Sequence, residues 1–476
     1  MSFFNSFLFY DLVFLILFST FIFIFLYKRR KKLDREGWLF LYRTSWGIKL
    51  INSVGTKYKK PLNAIAYLAV ACGYFLMVGM VYLLGKIVYW YATIPELAKV
   101  TKIPPVMPLI PYLPSIFKLD FLPPFYFTYW IVIIAIIAIV HEFGHGIWAK
   151  VYDVHIKSTG FGFLGPFLAA FVEPDEKQMQ EKKIFPQLAI LASGTFMNIL
   201  TAVLFLLVMW LFFVSVFSPA GVTFDTYSFS QVPIASITAV NGVQVIAPSS
   251  ENILKIMNDG LNELESGTTS YLSTKEMVSS QNDGFFLFLY NDAPAIRSNI
   301  SGAITSINDV NVYNKEELSA ELLKYSPGDV ISITTSDGEN IETKEVTLES
   351  NPLDPTKPYL GIGYNIQQNR GGIEGKIYSL ITSFKKPNVF YEPIINPELA
   401  TFIYNLFWWI ILISISVALV NMIPASIFDG GRFFYLTMLA IFKNQNVAKR
   451  ISSLVAWLIL LAVILMMFFY SFSFFI

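Results

Sequence analysis

His141, Glu142, Phe143, Gly144 and His145 close a long apolar run, YWIVIIAIIAIV at 129–140. Carboxylates and imidazoles are costly in lipid, and those found there usually carry function. Residues four apart on a helix share a face, so His141 and His145 can hold one metal ion between them. Glu142 projects beside them, placed to take a proton from a water on that metal. H-E-x-x-H is a metalloprotease signature for this reason. The chain has only three histidines, which makes a chance pairing in one pentapeptide remote. The bland alternative is a polar contact between helices with no metal. His155 lies well beyond the end of the apolar run and reads as a loop histidine rather than a third ligand.

A catalytic zinc takes three protein ligands and keeps one position open, so the third must come from elsewhere in the chain. NMIPASIFDGG at 421–431 supplies Asp429, a carboxylate at the end of another apolar stretch. Pro424 should end or kink that helix. Gly430 and Gly431 should free the backbone to turn, letting Asp429 face inward. Taken alone, the same segment also reads as an ordinary Asp-Gly-Gly turn.

These residues need elements that bring them together. The chain is 54% hydrophobic and 14% charged, against about a quarter charged in soluble domains, which is the balance of a polytopic α-helical membrane protein. A net charge of +1 gives no sign of a nucleic-acid partner. A single cysteine, Cys72, excludes disulfide frameworks and cysteine zinc sites. A spanning helix needs about 20 apolar residues, and six stretches qualify: roughly 7–27, 63–91, 125–148, 187–217, 399–424 and 451–475. The first lacks a basic start and a small-residue cleavage site, and reads as a retained anchor. Lysines and arginines mark the cytoplasmic side. The clusters at 28–32, 57–60, 150–157, 182–183 and 443–450 all fall on one side if both termini are outside. Spans three and five then run in the same direction, so Asp429 emerges on the cytoplasmic side with the two histidines. The Pro-rich IPPVMPLIPYLP (103–114) falls outside. Residues 33–62, with Trp38, Phe40, Tyr42 and Trp46 among basic residues, are expected at the cytoplasmic interface.

Between spans four and five, about 220–372, the sequence turns polar and repeats itself. IASITAVNGVQV (234–245) aligns with GAITSINDVNV (302–312), each an alternating strand–turn–strand pattern. The second continues into NKEELSAELLKY, SPGD and a hairpin-like VISITTSDGENIETKEVTL. This order resembles a PDZ domain over about 293–350, an α+β fold that binds extended peptides or C-termini by strand addition. The alternative is a structural plug that controls access. The first repeat shows no clear PDZ helix or hairpin before 293, so it belongs to a degenerate second unit or to one interrupted domain.

HEFGH in one span with N-x-x-P-x-x-x-x-D-G in a later one resembles the site-2 protease family of intramembrane zinc metalloproteases. GPFLAAFVEPDEKQMQEKK (165–183) is similar to the segment after the first motif in archaeal and eukaryotic-like members, which implies an archaeal-like prokaryotic cell membrane. ASGTFMN (192–198) is similar to the family's A-G-P-x-x-N, with Thr195 in place of proline. The resemblance covers about 125–217 and 399–431, and members often carry PDZ inserts at this position. It implies His141, His145 and Asp429 as zinc ligands and Glu142 as general base. It assigns Asn421 to substrate positioning or oxyanion stabilisation, Asn198 to a structural or substrate contact, and 156–173 to a membrane-embedded hairpin with an edge for the substrate. The domains then run 1–124, 125–219, 220–372 (the insert), a linker at 373–398, and 399–476. Membrane-protein substrates, the bilayer and a peptide at the insert are the expected partners. Two rivals are a membrane zinc-binding or transport protein and a silent PDZ-bearing scaffold. The first would spread acidic or histidine residues over several spans, where only Asp11 stands in span one and none in 187–217. The second would lack Glu142 or Asp429.

Overall fold

The computed structural model describes residues 7–37, 39–94, 107–119, 122–164, 167–281, 284–364 and 384–472. Trp38, Gly165, residues 103–106 of the Pro-rich segment, the end of the insert from 365 and the first part of the linker to 383 lie outside them. The chain forms two compact units, Met1–Leu211 with Thr401–Ile476, and Phe212–Ala400.

The first unit opens with α1 (Phe7–Arg29), then the hairpin β1 (Leu33–Glu36) and β2 (Leu39–Thr44), α2 (Ile48–Lys57) and α3 (Lys59–Thr93). Residues 33–62, expected only as an interfacial stretch, are thus mostly regular structure. α4 (Phe127–Val151) carries HEFGH in its last turns. Its Ile/Val-rich sequence would favour a strand in water. In lipid every backbone group must be satisfied within the segment, and helix follows. Tyr126, at its N-cap position, offers no capping side chain. Asp11 of α1 does this work across the gap. It is 2% exposed and accepts from Phe127 N (2.7 Å), Thr128 N (2.9 Å), Thr128 Oγ1 (2.5 Å) and Tyr112 Oη (2.5 Å). The one acidic residue of span one therefore ties α1 to the start of the helix that bears the histidines.

After α4 come β3 (Ile156–Leu164) and β4 (Phe167–Pro174). They form the expected hairpin, and β2 pairs with β3 to give the order β1-β2-β3-β4. β4 is thus an end strand of that sheet. α5 (Glu176–Glu181) is capped by Asp175, whose carboxylate accepts from Lys177 N and Gln178 N. After the extended Lys182 and then Lys183, α6 (Ile184–Val216) follows as one continuous helix. Thr195, standing where the family has proline, is buried and turns its hydroxyl onto Ala192 O at 2.9 Å, so the helix keeps its ladder.

The second unit contains two nested modules. β5 (Phe217–Val222) and β6 (Thr226–Tyr227) begin the outer one. The inner one is β7 (Phe229–Pro233), β8 (Ile237–Val240), β9 (Val243–Gln244), α7 (Ser250–Ile256), β10 (Leu261–Ser266), β11 (Thr269–Thr274) and β12 (Phe286–Asn291), with sheet order β7-β12-β11-β10-β8-β9. The outer module resumes with β13 (Ala303–Ile307), β14 (Val310–Asn311), α8 (Lys315–Leu322), β15 (Val330–Ser336) and β16 (Ile341–Thr347). After the short β17 (Glu349–Asn351), β18 (Asp354–Tyr359) and β19 (Ile362–Gly363), the final β20 (Val389–Pro393) returns to β5, giving β16-β15-β13-β5-β20.

Each module has its own apolar core, one around Ile304, Ile307 and Ile331, the other around Val240, Leu264 and Leu287. Both repeats turn through two residues of positive φ, Asn241-Gly242 and Asn308-Asp309, the hairpin turn that matches strand twist. The first repeat does have its helix and hairpin, α7 and β10–β11. They escape sequence reading because α7 is only seven residues long and the hairpin alternates weakly.

The chain re-enters the first unit through α9 (Pro397–Asn421), followed by α10 (Asp429–Phe442) and α11 (Gln445–Phe472). Among the described residues six helices are long and apolar enough to cross a membrane: Phe7–Lys32, Lys59–Thr93, Phe127–Val151, Ile184–Val216, Pro397–Asn421 and Gln445–Phe472. These are the six stretches expected from hydropathy, with ends shifted by a few residues. α10 is an additional helix, too short to count among them.

Candidate metal centre

α4, α6 and the start of α10 meet at one point. His141 Nε2 lies 3.0 Å from His145 Nε2 and 3.4 Å from Asp429 Oδ2, and His145 Nε2 lies 3.2 Å from the same oxygen. The three residues are the group whose ligand atoms could share a metal ion. Zinc bonds of about 2.0–2.1 Å in a tetrahedron put ligand atoms roughly 3.3 Å apart, which is the triangle observed.

The outer hydrogen bonds agree with this. His145 Nδ1 is 2.7 Å from Ile190 O, a carbonyl that can only accept, so the proton sits on Nδ1 and Nε2 presents its lone pair. His141 Nδ1 is 3.1 Å from the Asn198 side-chain nitrogen, while Asn198 Oδ1 is buried with no partner. Amide oxygen and nitrogen are assigned from such networks. Turning the amide over lets Oδ1 accept from His141 Nδ1–H and removes the orphan acceptor. Two imidazole lone pairs and a carboxylate oxygen then face one another, an arrangement that calls for a cation between them.

Room for an ion among the three side chains would come from Gly194 on α6. A Cβ there would lie 2.4 Å from His145 Nε2 and 2.8 Å from His141 Nε2, inside the space the ion needs. Gly144 gives the same closeness from α4, where a Cβ would meet Ser193 O at 2.9 Å. Gly430 and Gly431 were expected to let the chain turn. Neither has positive φ, and both sit in the first turn of α10. Their lack of a side chain instead permits close approach: Cβ atoms would fall 2.4 Å from Met422 C and 2.3 Å from Ala425 O. The helix before them ends as Pro424 requires, with Met422 N and Ile423 N bonding three residues back to Leu419 O and Val420 O.

The triangle opens on a cleft of about 360 Å³ that is also lined by Glu142, Val172, Glu176 and Arg432. Glu142 Oε2 accepts from Val172 N of β4 at 2.8 Å. Arg432 Nη1 donates to both carboxylate oxygens of Glu176, at 3.0 and 2.8 Å, joining α10 to α5 at the cleft. Asn421, the last residue of α9, is half-buried and is not among the cleft-lining residues. His155 is exposed in the loop after α4, its backbone N–H on Gln178 Oε1, and is no part of the triangle. Sequence reading left the role of Asn198 open; a lone Asn in an apolar span was the available signal.

The sequence model of peptidase family M50 matches residues 129–467. The chain belongs to peptidase family M50. M50 is the site-2 protease family, and membership makes the chain a membrane metallopeptidase. The match takes in the segments that carry His141, His145 and Asp429 and the β-rich unit between them. No curated protein matches the chain. With six long apolar helices among its described residues, this M50 member is an integral, multi-pass membrane protein. Zinc is the metal of the family, and the donor set here, two imidazoles and a carboxylate, suits it.

Proposed function

We propose that the protein is an intramembrane zinc metalloendopeptidase that cuts membrane proteins within or beside their transmembrane segments, as in regulated intramembrane proteolysis. The observation that carries this reading is the triangle of His141, His145 and Asp429 with Glu142 on the same cleft. Bound zinc would polarise the scissile carbonyl and bring the pKa of water near 7. His141 and His145 would hold the ion through Nε2, oriented by Asn198 and Ile190 O, with Asp429 as third ligand. Glu142 takes the proton of the attacking water and passes it to the leaving amine nitrogen. The Val172 N–H on its other flank keeps the carboxylate aimed.

A substrate helix must unwind first, because its carbonyls are bonded within it. The edge of β4 supports a way to hold it open. Val172 N–H points away from β3 to Glu142, and by the two-residue period Ala170 and Leu168 present their backbone groups to the same edge. An extended substrate pairing there would run towards the metal. Asn421 is assigned, from the family resemblance, to positioning the substrate or steadying the developing oxyanion.

We assign the two modules of the β unit as PDZ-like, taking an extended peptide or a C-terminus by strand addition; the shared order of strand, turn, strand, helix and hairpin supports this. The lysine and arginine clusters support termini and β unit outside, cleft towards the cytoplasm, in an archaeal-like cell membrane.

The test is cleavage of a single-pass membrane substrate by purified protein in detergent. Glu142→Gln should lower the rate about 10²–10⁴-fold with zinc content unchanged. Chelation should abolish cleavage, and added zinc should restore it. Full activity in Glu142→Gln would sink the assignment, and zinc bound without any cleavage would favour a binding or transport role.

A further inference from the structure

β2 and α2 lie before residue 129, where the M50 match begins, yet they pack directly behind HEFGH. Three places press on α4. A Cβ on Gly47 would lie 2.5 Å from Phe143 Cζ, and one on Gly55 would lie 2.8 Å from Lys150 Cβ. Between them Ile51, 0% exposed, meets Gly146. A Cβ on Gly146 would lie 2.9 Å from Ile51 Cδ1 and 3.2 Å from Val172 Cγ1, so both side chains reach the same bare spot on α4. At about 3.6 residues per turn, Phe143, Gly146 and Lys150 face away from the side of α4 that carries His141 and His145. Glu142 falls between the two sides.

The sheet supplies the other half of the contact. Thr44 of β2 pairs with Thr159 of β3, and Thr159 pairs with Val172 of β4. One cross-strand row therefore runs from the end of β2 to the residue whose N–H meets Glu142 Oε2 at 2.8 Å. Thr159, 2% exposed, also donates its hydroxyl to Trp46 O at 2.5 Å, in the turn that leads into α2. The contacts close a ring. It passes from Glu142 to Val172, across the sheet to the turn, along α2 to Ile51, and back to α4 at Gly146.

We infer that Ile51 is a positioning residue for Glu142. It does not line the cleft and acts through Gly146 and Val172. Its side chain fills the space between α4 and β4 and so sets how far the strand stands from the helix that carries the base. A general base must stay within hydrogen-bond reach of the proton it takes, and about 1 Å of misplacement costs roughly 10²-fold in rate. This role rests on the protease reading of the cleft. It adds that a segment before the M50 match takes part in the reaction.

The experiment is steady-state cleavage of a single-pass membrane substrate by the purified full chain in detergent. Zinc affinity is measured on the same samples, and kcat is expressed per zinc-loaded protein, which a residue that only stabilises the fold would leave unchanged. Ile51→Ala opens a cavity between α4 and β4 and should lower kcat about tenfold. KM should stay within about twofold, and zinc affinity should change less than about tenfold. Gly146→Ala drives a methyl group onto Ile51 Cδ1, an overpacking that should lower kcat by a similar factor. Ile51→Val removes Cδ1 and keeps Cγ2, so Gly146→Ala with Ile51→Val should recover most of the kcat lost in Gly146→Ala. If Ile51→Ala does not fold, that recovery decides on its own. Unchanged kcat in folded Ile51→Ala, a loss of zinc affinity that accounts for the whole effect, or no recovery in the double variant overturns the role while the wild-type chain still cleaves. No cleavage by the wild-type chain removes the protease reading itself, and the positioning role with it.

Discussion

The two stretches that meet at the candidate metal centre hold their side chains by different means. His141 and His145 lie within an unbroken helix, and one helical turn sets their separation. Asp429 is the first residue of α10, reached through a break at 422–428, and that turn is pressed so closely onto the break that Gly430 and Gly431 have no room for a methyl group. One side of the site is therefore local in the chain, and the other exists only once distant backbone has packed. Perturbations should separate the two.

The largest effect is expected where both sides meet the ion. Gly194→Ala puts a methyl group at 2.4 Å from His145 Nε2 and should weaken zinc affinity about 100-fold, the upper end for changes around ligands, as read by competition with a chelator. Wild-type affinity in this variant would mean that the ion does not sit between the two Nε2 atoms. Next is the packed side. Gly430→Ala forces the first turn of α10 off the 422–423 backbone, an overpacking of about 1–3 kcal/mol. It should cost zinc affinity while helix content by circular dichroism stays the same. If thermal stability falls and affinity does not, Asp429 is held by something other than this contact.

The smallest effect on the centre is expected from Asp11→Asn. It weakens a cap that sits at the far end of α4, roughly 20 Å from His141 at 1.5 Å per residue. The unfolding transition should drop by about 1–3 kcal/mol with zinc affinity changed less than about tenfold. A loss of affinity equal to that of Gly430→Ala would show that the histidine side depends on distant docking as well, and the contrast between the two sides would fail.

The same contrast explains what could be read beforehand. Hydropathy and length were enough for the six long helices, because lipid leaves a segment little choice but to bond with itself. The spacing of His141 and His145 was enough for half the site. Asp429 was reachable as a candidate through Pro424 and the parity of the spans, but the reason for its two glycines was not. Close approach leaves no trace in a sequence beyond the glycine itself. The pairing of β2 with β3, the cap from Asp11 to α4 and the contact of Asn198 with His141 were invisible for the same reason, since each joins residues far apart in the chain. In the β unit the second repeat was legible through its turn, helix and hairpin. The first was not, because α7 and its hairpin are short and a nested module interrupts the pattern of its host.

Asp429 follows His145 by about 280 residues, and at about 5–20 residues per second of synthesis that interval is roughly a quarter of a minute to a minute. During it the growing chain already carries HEFGH and then the whole β unit, but it does not yet have Asp429. A ribosome that stalls before Asp429 is added leaves a product with Glu142 and the two imidazoles but without the carboxylate of the candidate site. The order of the segments thus leaves every unfinished copy without the full triangle of His141, His145 and Asp429.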